Sequence, residues 1–184
     1  MRARTSAPAE HTKNPSACWL QISCIAWVLG LSACSGGFQT EPLVEDVEVV
    51  GPIAVKLFVS STALDTDFTA KLIDVYPSNA DYPLGFDLNI GDAITRMRYR
   101  NSLEKAELMK PGEVYEVTIN LYPTANRFVK GHRIRLDISS SDFPRFDPNP
   151  NTGEPLQQHR RVISADNTVF HNAAKPSHVV LPIR

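Results

Sequence analysis

The stretch Ser139 to Glu154, SSSDFPRFDPNPNTGE, concentrates more chemistry-bearing side chains than any other part of the chain: three hydroxyls, two phenylalanines around Pro-Arg, then Asp147, Asn149, Asn151 and Glu154 at nearly alternate positions. Hard oxygen donors so spaced invite a calcium reading. An EF-hand loop, however, needs glycine at its sixth place and an acidic ligand at its twelfth, and counted from Asp147 those places hold Thr152 and Gln158. Pro144, Pro148 and Pro150 restrict the unfolded freedom of the stretch, and its Asn and Asp side chains cap turns, which predicts a rigid, ordered loop. On such a loop Phe143, Arg145, Phe146 and Asp147 form a candidate interface patch, because aromatic and guanidinium groups dominate protein contacts. No metal ligand set and no cofactor is assigned.

A nucleophile is harder to place. Serine hydrolases of the α/β type expose their nucleophile in Gly-x-Ser-x-Gly, where small residues permit the strained elbow. The nearest approach, Gly30-Leu31-Ser32-Ala33-Cys34, lacks the second glycine. His171 and His178 in HNAAKPSH are too widely spaced for His-Glu-x-x-His, and no cysteine pair accompanies them. Ser139, Ser140 or Ser141 with Asp142 and a histidine have no spacing that argues a triad. No catalytic residue is assigned, and the chain alone is expected to be inactive.

Cys18, Cys24 and Cys34 all precede Phe38, so the remainder of the 184 residues contains neither a disulfide framework nor a thiolate metal site. Arg2, Arg4 and Lys13 lead into CWLQISCIAWVLGLSAC, an apolar run of signal-peptide size that is short for a bilayer span. Its end, Leu31-Ser32-Ala33-Cys34, resembles a bacterial lipobox. That reading makes residues 1–34 a lipoprotein signal peptide, Cys34 the acylated residue, 35–43 a tether and the protein membrane-anchored and extracytoplasmic. Glu10 and Pro15 in a long leading region fit equally a translated stretch ahead of a truncated gene. The 19 Lys+Arg and 20 Asp+Glu nearly cancel and form no basic stripe, so nucleic acid is not expected as a partner.

The elements that must carry these residues have period two. VEDVEVV runs to a break at Gly51-Pro52; IAVKLFVSS then puts Ile53, Val55, Leu57 and Val59 on one face, and FTAKLIDVYP follows to Pro77. SLEKAELM is expected to form a short helical turn before Pro111-Gly112. EVYEVTINLYP and HRIRLDISSS alternate on either side of a loop TANRFVKG, and RRVISAD, TVFHN and SHVVLPI complete the set. Eight or nine short strands between turn signals predict an all-β fold, a jelly-roll β-sandwich over 44–184, preceded by the short apolar segment.

The ordered blocks VEVVGPIAVKLFVSSTALDTDFTAKLIDVYP, ITRMRYRNSLEKAELMKPGEVYEVTINLYPTANRFVKGHRIRLDISSSDFPRFDPNPNTGE and AAKPSHVVLPI closely resemble the C-terminal jelly-roll domain of the cocaine esterase and X-Pro dipeptidyl-peptidase family of serine hydrolases. The resemblance covers roughly residues 38 to 184, with KGHRIRLDISSSDFPRFDPNPNTG its most specific part. It implies a galactose-binding-like sandwich that packs on an α/β-hydrolase catalytic domain. In the family the Ser-Asp-His triad lies in that other domain, so the resemblance carries no triad residue to any position here. It implies a non-catalytic scaffold with the 139–154 loop as a contact. The competing expectation is an independent, membrane-tethered binding module.

Overall fold

The computed structural model describes residues 18–22, by their backbone, and 36–184. Its strands are β1 (Cys18–Ile22), β2 (Gly36–Gln39), β3 (Val47–Ser61), β4 (Asp67–Tyr76), β5 (Phe86–Arg96), β6 (Tyr115–Phe128), β7 (Arg133–Ser139), β8 (Asn167–Asn172), β9 (Lys175–Pro176) and β10 (His178–Ile183). Among the described residues there is no α-helix; a single 3-10 turn covers Met97–Tyr99. All strand pairs are antiparallel. One sheet runs β1-β10-β3-β8-β9 with β6 also on β3, and the other runs β2-β7-β4-β5. The expected all-β sandwich is what forms.

Alternation explains how the sheets face each other. Val49, Ile53, Val55, Leu57 and Val59 of β3, with Val117, Ile119 and Leu121 of β6, meet Phe68, Ala70 and Leu72 of β4 and Ile134, Leu136 and Ile138 of β7 in one buried cluster. Fully burying a side chain of this size contributes roughly 1.5–3 kcal/mol, so this inter-sheet layer is the main source of stability.

The Gly51-Pro52 break and the expected end of EVYEVTINLYP at Pro123 are corrected together. Here β3 advances from Gly51 to Ile53 while β6 advances from Thr124 to Leu121, a bulge through which both strands continue. A proline donates no ladder hydrogen bond, and a bulge is where a sheet tolerates that loss. TANRF therefore belongs to β6 and not to a loop.

Three other expectations change. SLEKAELM is not helical: the Ser102 hydroxyl accepts from the amides of Glu104 and Lys105, and the Glu107 amide is drawn to the Arg98 carbonyl. RRVISAD is not a strand, because its amides find isolated partners on two loops, Ile163 on the Pro150 carbonyl and Asp166 on the Thr62 hydroxyl. The segment 35–43, expected as a tether, joins the sandwich from Gly36: β2 pairs with β7, and Phe38 and Leu43 pack on the core. Cys34 and the rest of the 1–34 segment outside 18–22 lie outside the described residues.

Candidate interface loop

The loop that follows β7 is fastened at the end of the sandwich where β4 begins and β5 ends. Asp67 of β4 and Arg96 of β5 are register partners, and their side chains form a two-pronged pair, Arg96 Nε to Asp67 Oδ1 at 2.9 Å and Nη2 to Oδ2 at 2.8 Å. Two residues away on each segment, Arg98 Nε donates to Asp65 Oδ2 at 2.7 Å, and the Arg98 amide donates to Asp65 Oδ1 at 3.0 Å. Asp65, Asp67 and Arg98 are buried. The hydrogen bond to Asp67 holds the Arg96 guanidinium above its ordinary value despite partial burial.

Asn149 brings the loop into this network. Its Nδ2 donates to Asp65 Oδ2 at 2.9 Å and to Asp67 Oδ1 at 2.7 Å, so one amide spans both acids. Arg96 Nη2 also donates to the Asp147 carbonyl at 3.1 Å. Further along, Gly153 has φ +73°, and its Cα faces Leu64 and Leu108 so closely that a Cβ would lie 3.1 Å from Leu108 Cδ1. The loop is thus tied down by charge-assisted hydrogen bonds.

The four interface candidates separate on this frame. Phe143 is 69% exposed. The Arg145 guanidinium pairs with Asp92 at 3.0 Å and lies 5.6 Å from the centre of the half-buried Phe146 ring. Asp147 contributes its backbone carbonyl to the clamp, with its side chain at an exposed position. Beside Phe143, a polar hollow of about 400 Å³ is lined by Thr69, Lys71, Asp137, Ser139, Ser141 and Asp142. Lys71 pairs with Asp142, and Arg135 with Asp137, so the charges around the hollow are largely balanced.

The oxygen-rich residues that invited a calcium reading are separately engaged. Asn149 goes to the two aspartates, Asn151 Nδ2 to the Ile163 carbonyl, and Glu154 to Thr152 and the Arg160 amide. The serines and histidines also part company. Ser139 Oγ accepts from the Ser141 amide, while ring nitrogens of His132, His171 and His178 meet Asp74, the Ser177 carbonyl and the Pro176 carbonyl. The Ser177 hydroxyl itself donates to the Phe170 carbonyl.

Asp65, Asp67, Arg96 and Arg98 escaped the reading of the sequence. Their signal was there: Asp-x-Asp in LDTDF and Arg-x-Arg in ITRMR place like charges two apart, and the antiparallel register that sets Asp67 opposite Arg96 brings Asp65 and Arg98, just beyond the strand ends, together as well.

This sandwich with its fastened loop is the non-catalytic type of domain found at the C-terminus of X-Pro dipeptidyl-peptidases. Residues 32–180 match the family model described as the X-Pro dipeptidyl-peptidase C-terminal non-catalytic domain, and the chain belongs to that family. A cocaine esterase from Rhodococcus sp. (strain MB1 Bresler) is 45% identical over 148 residues, which cover 79% of this chain and 25% of the relative. Among solved structures, an alpha-amino acid ester hydrolase superposes with a TM-score of 0.77 at 33% identity, covering 82% of this chain and 25% of that one. An aminopeptidase from a marine sediment Thaumarchaeota archaeon gives a TM-score of 0.77 at 31% identity, covering 82% and 26%. The chain therefore spans about a quarter of the length of these relatives.

Proposed function

We propose that this domain acts as the structural C-terminal module of a serine hydrolase of the cocaine esterase and X-Pro dipeptidyl-peptidase type, packing on an α/β-hydrolase catalytic domain that carries the Ser-Asp-His triad. The observation that carries this reading is the family match over 32–180, joined to a 139–154 loop held rigidly with Phe143 and Arg145 outward. The module supplies no nucleophile. It braces the catalytic domain, and the loop forms part of the wall around the route to its pocket. The reaction of the complete enzyme is hydrolysis of an ester, amide or X-Pro peptide bond.

The test is a chimera in which residues 36–184 replace the matching C-terminal quarter of the Rhodococcus cocaine esterase. Retained ester hydrolysis by the chimera, with no turnover by the 184-residue chain alone, is the expected result. An inactive chimera, or fluorophosphonate labelling of a serine in the isolated chain, overturns the reading.

The Leu31-Ser32-Ala33-Cys34 tetrad supports a second reading, a membrane-tethered extracytoplasmic module acylated at Cys34. In a bacterial host it predicts labelled palmitate incorporation that Cys34→Ala abolishes. Equal incorporation by the variant, or none by either chain, rules it out.

A further inference from the structure

We infer that the Arg160-Arg161-Val162 run is a cleavage site for an arginine-directed endoprotease, and that the sandwich persists as a nicked, two-piece domain after the cut. Trypsin reads the residue before the cut bond in a pocket carrying an aspartate, so two adjacent arginines offer it two bonds. Hydrolysis of either bond takes up one water and leaves a carboxylate on the arginine and an ammonium group on the residue that follows. Nicking concentrates at exposed loop tips, where the backbone is neither buried nor hydrogen-bonded.

The backbone around Arg161 meets that condition. Residues 157–164 are all exposed, Val162 at 71%. The Gln158 amide donates to the Pro155 carbonyl and the Arg160 amide to the Glu154 carboxylate. Beyond them the amides of Arg161 and Val162 and the carbonyls of Arg160 and Arg161 have no hydrogen-bond partner among the described residues. Basic residues on other loops are guarded. Lys110 and Lys175 precede Pro111 and Pro176, whose rings replace the N–H of the bond to be cut. The Lys130 amide is held by Asp46, and the Arg145 guanidinium by Asp92. The Lys105 amide donates to the Ser102 hydroxyl, and two residues on Glu107 is tied by Arg100 at its carbonyl and by Asn101 at its carboxylate.

The stems of the loop are fastened on both sides of the arginines. Upstream, Asn149 donates to Asp65 and Asp67. Downstream, the Ile163 amide donates to the Pro150 carbonyl, the Ile163 carbonyl accepts from Asn151 Nδ2, and the Asp166 amide donates to the Thr62 hydroxyl. The piece released at its front end still supplies β8 and β10 to β3. Its Val179 and Leu181 are 3% and 0% exposed, and its Ser177 hydroxyl accepts from the Phe58 amide at 2.9 Å. None of these contacts lies at the cut, so the buried apolar area that holds the piece in the sandwich is kept.

Brief treatment of the 184-residue chain with trypsin, followed by mass spectrometry and gel filtration, tests both halves of the inference. Within residues 36–184 the first bond lost is expected to follow Arg160 or Arg161, and the two pieces are expected to elute together at the volume of the uncut chain. Arg160→Gln combined with Arg161→Gln is expected to slow the first cut within 36–184 at least tenfold. A first cut after Lys105, Lys130 or Arg145, an unchanged rate in the double variant, or separation of the pieces overturns the inference. So does rapid cutting of the double variant after the strand residues Lys56 and Lys71, which would show that the two arginines serve the fold.

Discussion

Arg98 and Asp65 form an ion pair sealed from water: Nε meets Oδ2 at 2.7 Å, with side chains 5% and 0% exposed. The desolvation cost of such a pair is large, and its attraction offsets that cost only while both partners and their hydrogen bonds are present. Arg98→Met, which strands a buried carboxylate, is expected to destabilise the fold by about 3–5 kcal/mol. The double variant Arg98→Met/Asp65→Leu removes both charges and should recover most of the loss. Urea unfolding of the two variants checks this; equal losses in both would show that packing, not charge, dominates at the site.

Asn149 is the link between this pair and the loop, and its removal should act locally. Asn149→Ala deletes two hydrogen bonds to carboxylates, a loss of about 1.5–3 kcal/mol each before relaxation. Hydrogen exchange is expected to quicken at 145–153 while the amides of β3 and β6 stay protected. Asn149→Asp should be worse than alanine, since it adds a third carboxylate beside Asp65 and Asp67. Uniform loss of protection across both sheets would contradict the local role.

The strands were legible because alternation is written into single segments. Ile53 to Val59, Val117 to Leu121 and Ile134 to Ile138 each point every second side chain to the core, and all three stretches are strands in the fold. The failures occurred where the deciding partner is distant. Gly51-Pro52 and Pro123 look like ends when read singly and become a bulge only when β3 and β6 lie side by side. RRVISAD alternates enough to pass for a strand, yet its neighbours are the turns at Pro150 and Thr62. The rigidity of the 139–154 loop was visible in its prolines, but the clamp was not. Asn149 reads as a turn cap until Asp65 and Asp67, more than eighty residues earlier, are brought beneath it.

Gly153 offers a test of how tightly the loop seats against Leu64 and Leu108. Its φ of +73° disfavours any L side chain, and a Cβ would stand 3.1 Å from Leu108 and 3.3 Å from Leu64. Gly112 has a similar φ, +78°, with nothing within 4 Å. Gly112→Ala should therefore show the conformational penalty alone, about 1–2 kcal/mol. Gly153→Ala should exceed it, because Leu108 and the turn must also separate. Thermal unfolding of the pair measures the difference, and a smaller loss at 153 than at 112 would mean that the turn is loosely seated.

Glu154 gives the loop a pH dependence whose sign follows from its contacts. The Arg160 amide, first, and the Thr152 hydroxyl stabilise its charged form and hold the carboxyl below its ordinary value of 4.5. A carboxylate depressed in the folded state contributes stability that is fully present above that ordinary value and is lost as pH falls through the folded one. Asp46 behaves in the same sense at the other end of the sandwich, held low by the Lys130 amide and Arg127 and below its ordinary value of 3.8. Acidification should therefore release the Arg160 amide below pH 4.5, with its chemical shift following the Glu154 carboxyl titration. Glu154→Gln should remove that transition from Arg160 while leaving the corresponding transition of Lys130 in place. If Arg160 continued to titrate in the Gln variant, its amide would be reporting another acid.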